Sequence, residues 1–139
     1  MLKKFFYILF ISAALSSCHT DTPELPDVYV EEIVYLSNAS NIKLQSPLGW
    51  AYVPGGIRGI IVYRVSETKF KAYERSCPHL SPNDCTYLDV EDDGIKAVCR
   101  CDKTEFLLLT GEPLNGAPLG LKQYRTYYDE YSQTVTITN

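Results

Sequence analysis

Cysteine and histidine concentrate in one short stretch of the sequence, between residues 77 and 106. Four of the five cysteines and one of the two histidines fall there. The first group reads Cys-Pro-His-Leu from Cys77, with Cys85 after it, and the second reads Cys-Arg-Cys-Asp from Cys99. A Cys-x-His pair on one loop brings a thiolate and an imidazole within reach of a single ion, and a facing Cys-x-Cys-Asp loop supplies opposing ligands. The pattern predicts an iron–sulfur or zinc site between two loops.

Disulfide bonds are the alternative use of the same four cysteines, which allow three pairings. A bond between Cys99 and Cys101 would close a strained ring, so the other two pairings remain open, and both join the two loops. Two such disulfides without a metal would give a β-domain whose two loops are joined only by disulfide bonds. The metal-bound and metal-free interpretations differ in whether iron is present.

From Val28 onward the sequence predicts one compact all-β domain. No helical periodicity persists for ten or more residues, and short runs rich in Val, Ile, Tyr and Thr alternate with turn residues, which is typical of a sandwich or barrel. The Pro54–Gly56 and Asp92–Gly94 segments supply residues that tolerate positive φ in tight hairpins. The predicted strands lie at 28–36, 42–45, 50–53, 57–65, 70–75, 86–90, 95–99, 105–109, 122–128 and 131–138.

The two loops resemble those of the Rieske [2Fe–2S] proteins, which carry Cys-x-His-Leu in the first loop and Cys-x-Cys-His-Gly-Ser in the second. The resemblance covers residues 28–139 and implies an antiparallel β-sandwich or barrel with two cluster-binding loops. It implies that Cys77 and Cys99 are the thiolate ligands of one iron and that His79 is a ligand of the other. Asp102 stands where the family has its second histidine, and we expect it to be the fourth ligand.

The same resemblance implies a disulfide between Cys85 and Cys101, which joins the loops in many members. Thr104 takes the place of a serine that hydrogen-bonds a bridging sulfide, and Phe106 that of a tyrosine. The segment 115–118, Asn-Gly-Ala-Pro, resembles the proline loop that covers the cluster. The spacer before Cys99 is slightly longer than in the family.

Asp102 has consequences for the expected chemistry. A carboxylate is a harder, anionic ligand than imidazole. Because added negative charge favours the oxidised cluster, we expect a potential at or below the lower end of the Rieske range of about −150 to +300 mV. Zinc bound by Cys77, His79, Cys99 and Asp102 is a second metal interpretation. The metal-free alternative treats Asp102 as a solvated loop residue in a domain that has lost its cluster.

Residues 1–17 have the order of a secretory signal: a basic start, a short apolar run and small residues. The apolar run is shorter than the roughly 20 residues that cross a bilayer. The end of this segment with Cys18, Leu-Ser-Ser-Cys, resembles a bacterial lipobox, which implies an acylated cysteine and a membrane anchor. An ordinary signal peptide with an incidental cysteine is the alternative. Residues 18–27 are expected to form a polar tether that does not pack, and His19 within it is not expected to be a ligand.

Charge and composition exclude several functions. Removal of the signal peptide takes away Lys3 and Lys4 and no acidic residue, so the net charge changes from −4 to −6. A chain this acidic, without a basic stripe, is a poor candidate for nucleic-acid binding. A mononuclear iron oxygenase needs a further triad of two histidines and a carboxylate, which the one remaining histidine cannot complete.

The sequence therefore predicts an electron-transfer protein of the bacterial cell envelope rather than a stand-alone enzyme. A [2Fe–2S] cluster would carry one electron to or from an unidentified redox partner protein. The alternative is a metal-free domain that keeps the fold as a disulfide-stapled binding or structural module.

Overall fold

The computed structural model describes residues 24–139, so the predictions for residues 1–17, Cys18 and His19 lie outside the described part of the chain. Within it, no helix is long and apolar enough to span a membrane. The elements are β1 (Glu31–Tyr35), a 3₁₀ helix (Ala39–Gln45), β2 (Trp50–Val53), β3 (Ile60–Arg64), β4 (Phe70–Glu74), β5 (Leu88–Val90), β6 (Lys96–Cys99), β7 (Glu105–Leu107), β8 (Gln123–Asp129) and β9 (Thr134–Thr138).

The strands form two antiparallel sheets, which confirms the predicted all-β fold class. The larger sheet has six strands in the order β1-β9-β8-β4-β3-β2, and the smaller has three in the order β5-β6-β7. The β8–β9 hairpin turns after Asp129, between the strands predicted at 122–128 and 131–138. The smaller sheet carries the second cysteine loop between β6 and β7.

Strand β3 separates two apolar cores. All five of its residues are buried. Ile60 and Val62 contribute to a core within the larger sheet, whereas Ile61 and Tyr63 face a second core that includes the smaller sheet. Because side chains alternate between the two faces of a strand, one continuous apolar run serves both cores. Cys77 and Cys99 belong to the second core, so the site lies on its edge.

The predicted strand at 42–45 is wrong: these residues belong to the 3₁₀ helix. Asn38 caps the helix by accepting a hydrogen bond from the Ser40 N–H at 3.3 Å. Asn41 and Leu44 are the buried residues of the helix. Their spacing of three residues matches the 3₁₀ repeat, whereas the sequence predicted a strand over the same short stretch.

The end of the expected tether packs onto the domain. Leu25 is buried, with 6% of its surface exposed. Lys122 Nζ donates to Asp27 Oδ1 at 2.6 Å and to the Pro26 carbonyl at 3.2 Å. Residues 24–27 therefore differ from the expectation that this segment does not pack, because one leucine and one ion pair suffice to fix it.

A buried carboxylate ties three parts of the fold together at the end of β4. Glu74 Oε2 accepts from the Ile57 N–H at 2.7 Å and from the Tyr124 hydroxyl at 2.8 Å. Glu74 Oε1 accepts from the N–H groups of Arg58 and Ser76, both at 3.0 Å. Burial and the adjacent carboxylate raise the pKa of Tyr124, so its hydroxyl remains a donor. Glu74 thus joins the β2–β3 turn, β8 and the start of the first cysteine loop.

Replacement of Glu74 by alanine is expected to lower the free energy of unfolding by about 3 kcal/mol or more, because two buried and two partly buried donors lose their acceptor. Urea denaturation of the oxidised protein measures the change. Glu130→Ala, at an exposed turn position, is the control and should stay within about 0.5 kcal/mol of the parent. Equal stability of the two variants would contradict the structural role of Glu74.

Candidate metal centre

Backbone pairing places the two cysteine loops side by side. The first loop begins after β4 and returns at β5, and its base is closed by a hydrogen bond from the Cys77 N–H to the Thr86 carbonyl at 3.0 Å. The second loop follows Cys99, the last residue of β6. Leu88 in β5 pairs with Cys99 in β6, and the Arg100 N–H donates to the Tyr87 carbonyl at 2.9 Å. The pairing of β5 with β6 therefore fixes both loops at the same end of the smaller sheet.

Two disulfides join the loops. Cys77 is bonded to Cys99, with Cα atoms 5.7 Å apart, and Cys85 is bonded to Cys101, with Cα atoms 5.1 Å apart. Of the two pairings that the sequence left open, the structure has the one that contains the Cys85–Cys101 bond implied by the resemblance. Cys77 and Cys99 have no exposed surface, whereas Cys85 is exposed.

The expectation that Cys77 and Cys99 are free thiolates is not met in the structure. The paired strands bring the two residues close enough for their sulfurs to bond to each other. A sulfur atom in a disulfide is not a thiolate, and the thiolate is the form that binds metals. The two residues therefore converge as a shared iron would require, but in an oxidised form.

His79 and Asp102 meet across the two loops. His79 Nε2 lies 2.6 Å from Asp102 Oδ2, and Asp102 Oδ1 accepts from the Thr104 N–H at 3.0 Å. A ring nitrogen of His79, the Cys99 sulfur and a carboxylate oxygen of Asp102 lie within 4.8 Å of one another. The structure thus brings His79, Cys99 and Asp102 together, which are three of the four predicted ligand residues. The fourth, Cys77, is bonded to Cys99.

The two nitrogens of the His79 ring have different surroundings. The side chain is 9% exposed, and its Nδ1 atom is buried without a hydrogen-bond partner among the described residues. Burial raises the pKa of Asp102, but hydrogen bonds from His79 and Thr104 outweigh it, and the net shift is downward. Since an ionised carboxylate only accepts, Nε2 is the ring nitrogen that donates to Asp102. In the tautomer with a single proton, on Nε2, the Nδ1 atom presents a lone pair.

The donor set fits a metal group in part. Once reduced, the two converging cysteine sulfurs would be suitable ligands for iron or zinc, together with the buried, unpartnered imidazole nitrogen. Asp102, however, is hydrogen-bonded to Nε2 of the ring and not placed beside Nδ1. The residue types agree with the predicted ligands, whereas the position of this carboxylate does not complete the set.

The residues around the site have mainly packing roles. Phe106 is fully buried, and its ring centroid lies 5.9 Å from that of His79. The Thr104 hydroxyl lies 3.4 Å from His79 Nε2. Asn115 Oδ1 accepts from the Glu105 N–H at 3.1 Å and so fastens the 115–118 segment to β7. These contacts support the loops from the side of the smaller sheet.

A group of arginines around Tyr87 also supports the loops, and the sequence analysis did not identify it. Arg58 Nη1 donates to the Tyr87 hydroxyl at 3.0 Å. Arg75 and Arg100 both pair with Asp89 and lie over the Tyr87 ring. The hydrogen bond from Arg100 holds the pKa of Asp89 below its usual range despite partial burial. These residues are scattered between positions 58 and 100, so no local motif indicates that they meet.

The all-β scaffold with two facing cysteine loops defines a Rieske-like fold. No protein-family model matches the chain, and no curated protein matches it. Among solved structures, the chain is similar to the plasma membrane Rieske protein PetC3 of the cyanobacterium Synechocystis PCC 6803, with 18% identity, a TM-score of 0.55 and coverage of 76% of this chain and 99% of that one.

A second similar structure is a putative NADH-dependent nitrite reductase small subunit from Mycobacterium tuberculosis. It shares 15% identity with a TM-score of 0.50, over 81% of this chain and 97% of that one. At these identities the similarity establishes the fold.

Limited reduction should distinguish the two disulfides. Because Cys85 is exposed and the Cys77–Cys99 pair is buried, a thiol reductant should open Cys85–Cys101 first, at least about tenfold faster. Alkylation followed by peptide mass spectrometry measures the order. In a denaturant the difference should disappear, which serves as the control. Earlier alkylation of Cys77 and Cys99 under native conditions would contradict the structure.

Proposed function

We propose that the protein is an envelope-anchored electron carrier of the Rieske type, which passes single electrons to or from a partner protein. The fold supports this proposal, as does the convergence of chemically suitable side chains where the two loops meet. Lipidation at Cys18, implied by the lipobox resemblance, would hold the domain at a membrane. The anchor would confine the carrier to the surface on which its partner acts.

A [2Fe–2S] cluster would supply one-electron chemistry at this site. Cys77 and Cys99 would hold one iron and His79 the other, with Asp102 as the predicted fourth ligand. For Asp102 to bind the iron at His79 Nδ1, it would have to leave its present bond to Nε2. The chain itself contributes the ligands, the apolar shielding by Phe106 and the hydrogen bonds that fix both loops.

The observation that carries the proposal is the buried Nδ1 atom of His79, which lacks a hydrogen-bond partner among the described residues. Buried polar atoms in folded proteins are nearly always hydrogen-bonded, so an unpaired ring nitrogen needs an explanation. Cys99, with Cys77 bonded to it, lies beside this ring. A metal ligand is the explanation that accounts for both the nitrogen and the neighbouring sulfurs.

A second function is favoured by the two disulfides. Every cysteine of residues 24–139 is disulfide-bonded, as expected for a metal-free domain that acts as a binding or structural module. Disulfides persist in exported proteins. In this interpretation His79 and Asp102 would serve only to link the loops.

Metal analysis separates the two functions. After reduction and anaerobic reconstitution with iron and sulfide, we expect about two irons and two acid-labile sulfides per chain, because the freed thiolates and His79 can hold a cluster. The sample is the processed chain with Cys18→Ser, measured by iron and sulfide assays.

The matched controls each remove one cysteine pair. The Cys77→Ser/Cys99→Ser variant should lose the iron, and the Cys85→Ser/Cys101→Ser variant should retain most of it. Failure of the parent chain to take up iron and sulfide would favour the metal-free module.

The anchor has a separate test. In a bacterial host that processes lipoproteins, the parent chain should incorporate labelled fatty acid and sediment with membranes, whereas Cys18→Ser should do neither. The physical reason is that this thiol is the only proposed attachment point for the lipid. Membrane association that is unchanged in Cys18→Ser would reject lipidation there and leave the site chemistry unaffected.

A further inference from the structure

We propose that the site is a redox-gated metal site: opening the Cys77–Cys99 disulfide creates a three-ligand set of Cys77, Cys99 and His79. In this three-ligand set, unlike in the cluster proposed above, Asp102 acts as a positioning residue for His79 and is not a ligand of the cation. The set suits a single divalent cation with mixed sulfur and nitrogen preference, of the Zn²⁺ class. The inference rests on the metal-binding role proposed above and specifies which side chains bind and in which redox state.

The role of Asp102 follows from the two edges of the His79 ring. The carboxylate is fixed on one side by the Thr104 N–H at 3.0 Å and holds Nε2 on the other at 2.6 Å. This arrangement keeps the proton on Nε2 and leaves Nδ1 as the ligating atom. Histidine ligands commonly donate their second ring N–H to a carboxylate in this way, and the partner orients the ring. The side chain of Asp102 is 39% exposed, which suits a supporting position at the rim.

The gate is the fully buried Cys77–Cys99 bond, which is the inner of the two disulfides. While Cys77 and Cys99 are bonded, neither sulfur is a thiolate, and His79 is the only good donor of the three. Reduction breaks the sulfur–sulfur bond with two electrons and two protons. In a cell a dithiol reductant would supply these and become a disulfide itself. Metal binding then displaces the two thiol protons.

The pairing of β5 with β6 and the arginine group would keep the loops in place when the gate opens. The Leu88–Cys99 pairing fixes both loops at the same end of the smaller sheet, whether or not the more exposed Cys85–Cys101 bond has also been reduced. Arg100 in the second loop also remains attached to the Tyr87 carbonyl and to Asp89. The three ligands would therefore stay close together, so metal binding need not recover the full entropy of loop closure.

Cobalt(II) alone is the probe for this inference, because its thiolate charge-transfer and visible bands report both the ligands and the geometry. The sample is the processed chain with Cys18→Ser. A water-soluble phosphine supplies the two electrons and becomes a phosphine oxide, whose oxygen comes from water. After anaerobic removal of the phosphine, we expect one Co²⁺ per chain with thiolate bands. The oxidised chain should show no such bands.

Paired variants test the ligand assignment. Cys77→Ser/Cys99→Ser should abolish the thiolate bands after reduction, and Cys85→Ser/Cys101→Ser should preserve them. His79→Ala should weaken Co²⁺ binding and alter the visible bands, because it removes a ligand. Thiolate bands in the oxidised chain, or their absence after reduction of the parent, would overturn the gate.

Asp102 variants test positioning against ligation. Asp102→Ala should weaken Co²⁺ binding by about 10- to 100-fold without changing the visible bands. Asp102→Asn should restore much of the affinity, because its amide oxygen can still accept from Nε2. Nitrogen NMR of the metal-free chain should show the Nε2–H form of His79 in the parent and a mixture of forms in Asp102→Ala. Changed visible bands in both variants would show that Asp102 is a ligand and overturn its assignment.

The outcomes remain separate from those of the cluster test. If reduced protein binds Co²⁺ but does not take up iron and sulfide, the gated site stands and the electron-carrier function fails. If the protein assembles the cluster but binds no Co²⁺ after reduction, the electron carrier stands and the inference fails.

Discussion

The site depends on the antiparallel pairing of β5 with β6. This pairing puts Leu88 opposite Cys99 and sets the two cysteine loops at the same end of the smaller sheet. Because the strand pairing already holds the two loops together, bonds between their side chains require little further loss of loop entropy. Both disulfides and the His79–Asp102 contact follow from this register. A shift of the register by one residue would turn Cys99 to the other face of the sheet.

The larger sheet contributes to the same arrangement through one buried acid. Glu74 is the last residue of β4. It binds backbone N–H groups of the β2–β3 turn and the N–H of Ser76, just before the first cysteine loop. Gly56 is required opposite it, because its φ is +63° and an added Cβ would lie 2.2 Å from a Glu74 oxygen. The turn therefore has room for the Glu74 carboxylate only if residue 56 has no side chain. The first cysteine loop thus starts from a fixed point.

Local sequence patterns predicted the parts of the structure that depend on local periodicity and spacing. Short runs rich in Val, Ile, Tyr and Thr between turn residues predicted most strands, and the close spacing of Cys77, His79, Cys99 and Asp102 predicted that these side chains meet. The 3₁₀ helix was missed because Ile42 and Leu44 are two residues apart, as on one face of a strand, although only Leu44 is buried. The arginine group around Tyr87 was missed because its members come from three separate segments. The sequence also could not predict which nitrogen of His79 contacts Asp102 and which is buried, since this depends on which edge of the ring faces the protein interior.

An aspartate at position 102 changes the balance between the metal-free and metal-bound forms of such a site. Asp102 satisfies one ring nitrogen of His79 without any metal, and the Cys77–Cys99 bond satisfies the two sulfurs in the same way. Only Nδ1 is then left unpaired, so the metal-free form carries one unmet polar atom instead of a full set of unpaired ligands. A second histidine has no negative charge when neutral and would be a weaker hydrogen-bond acceptor for His79 Nε2 than the carboxylate. The aspartate therefore stabilises the disulfide-bonded form, and in the proposed metal site the same contact would leave Nδ1 as the ligating atom.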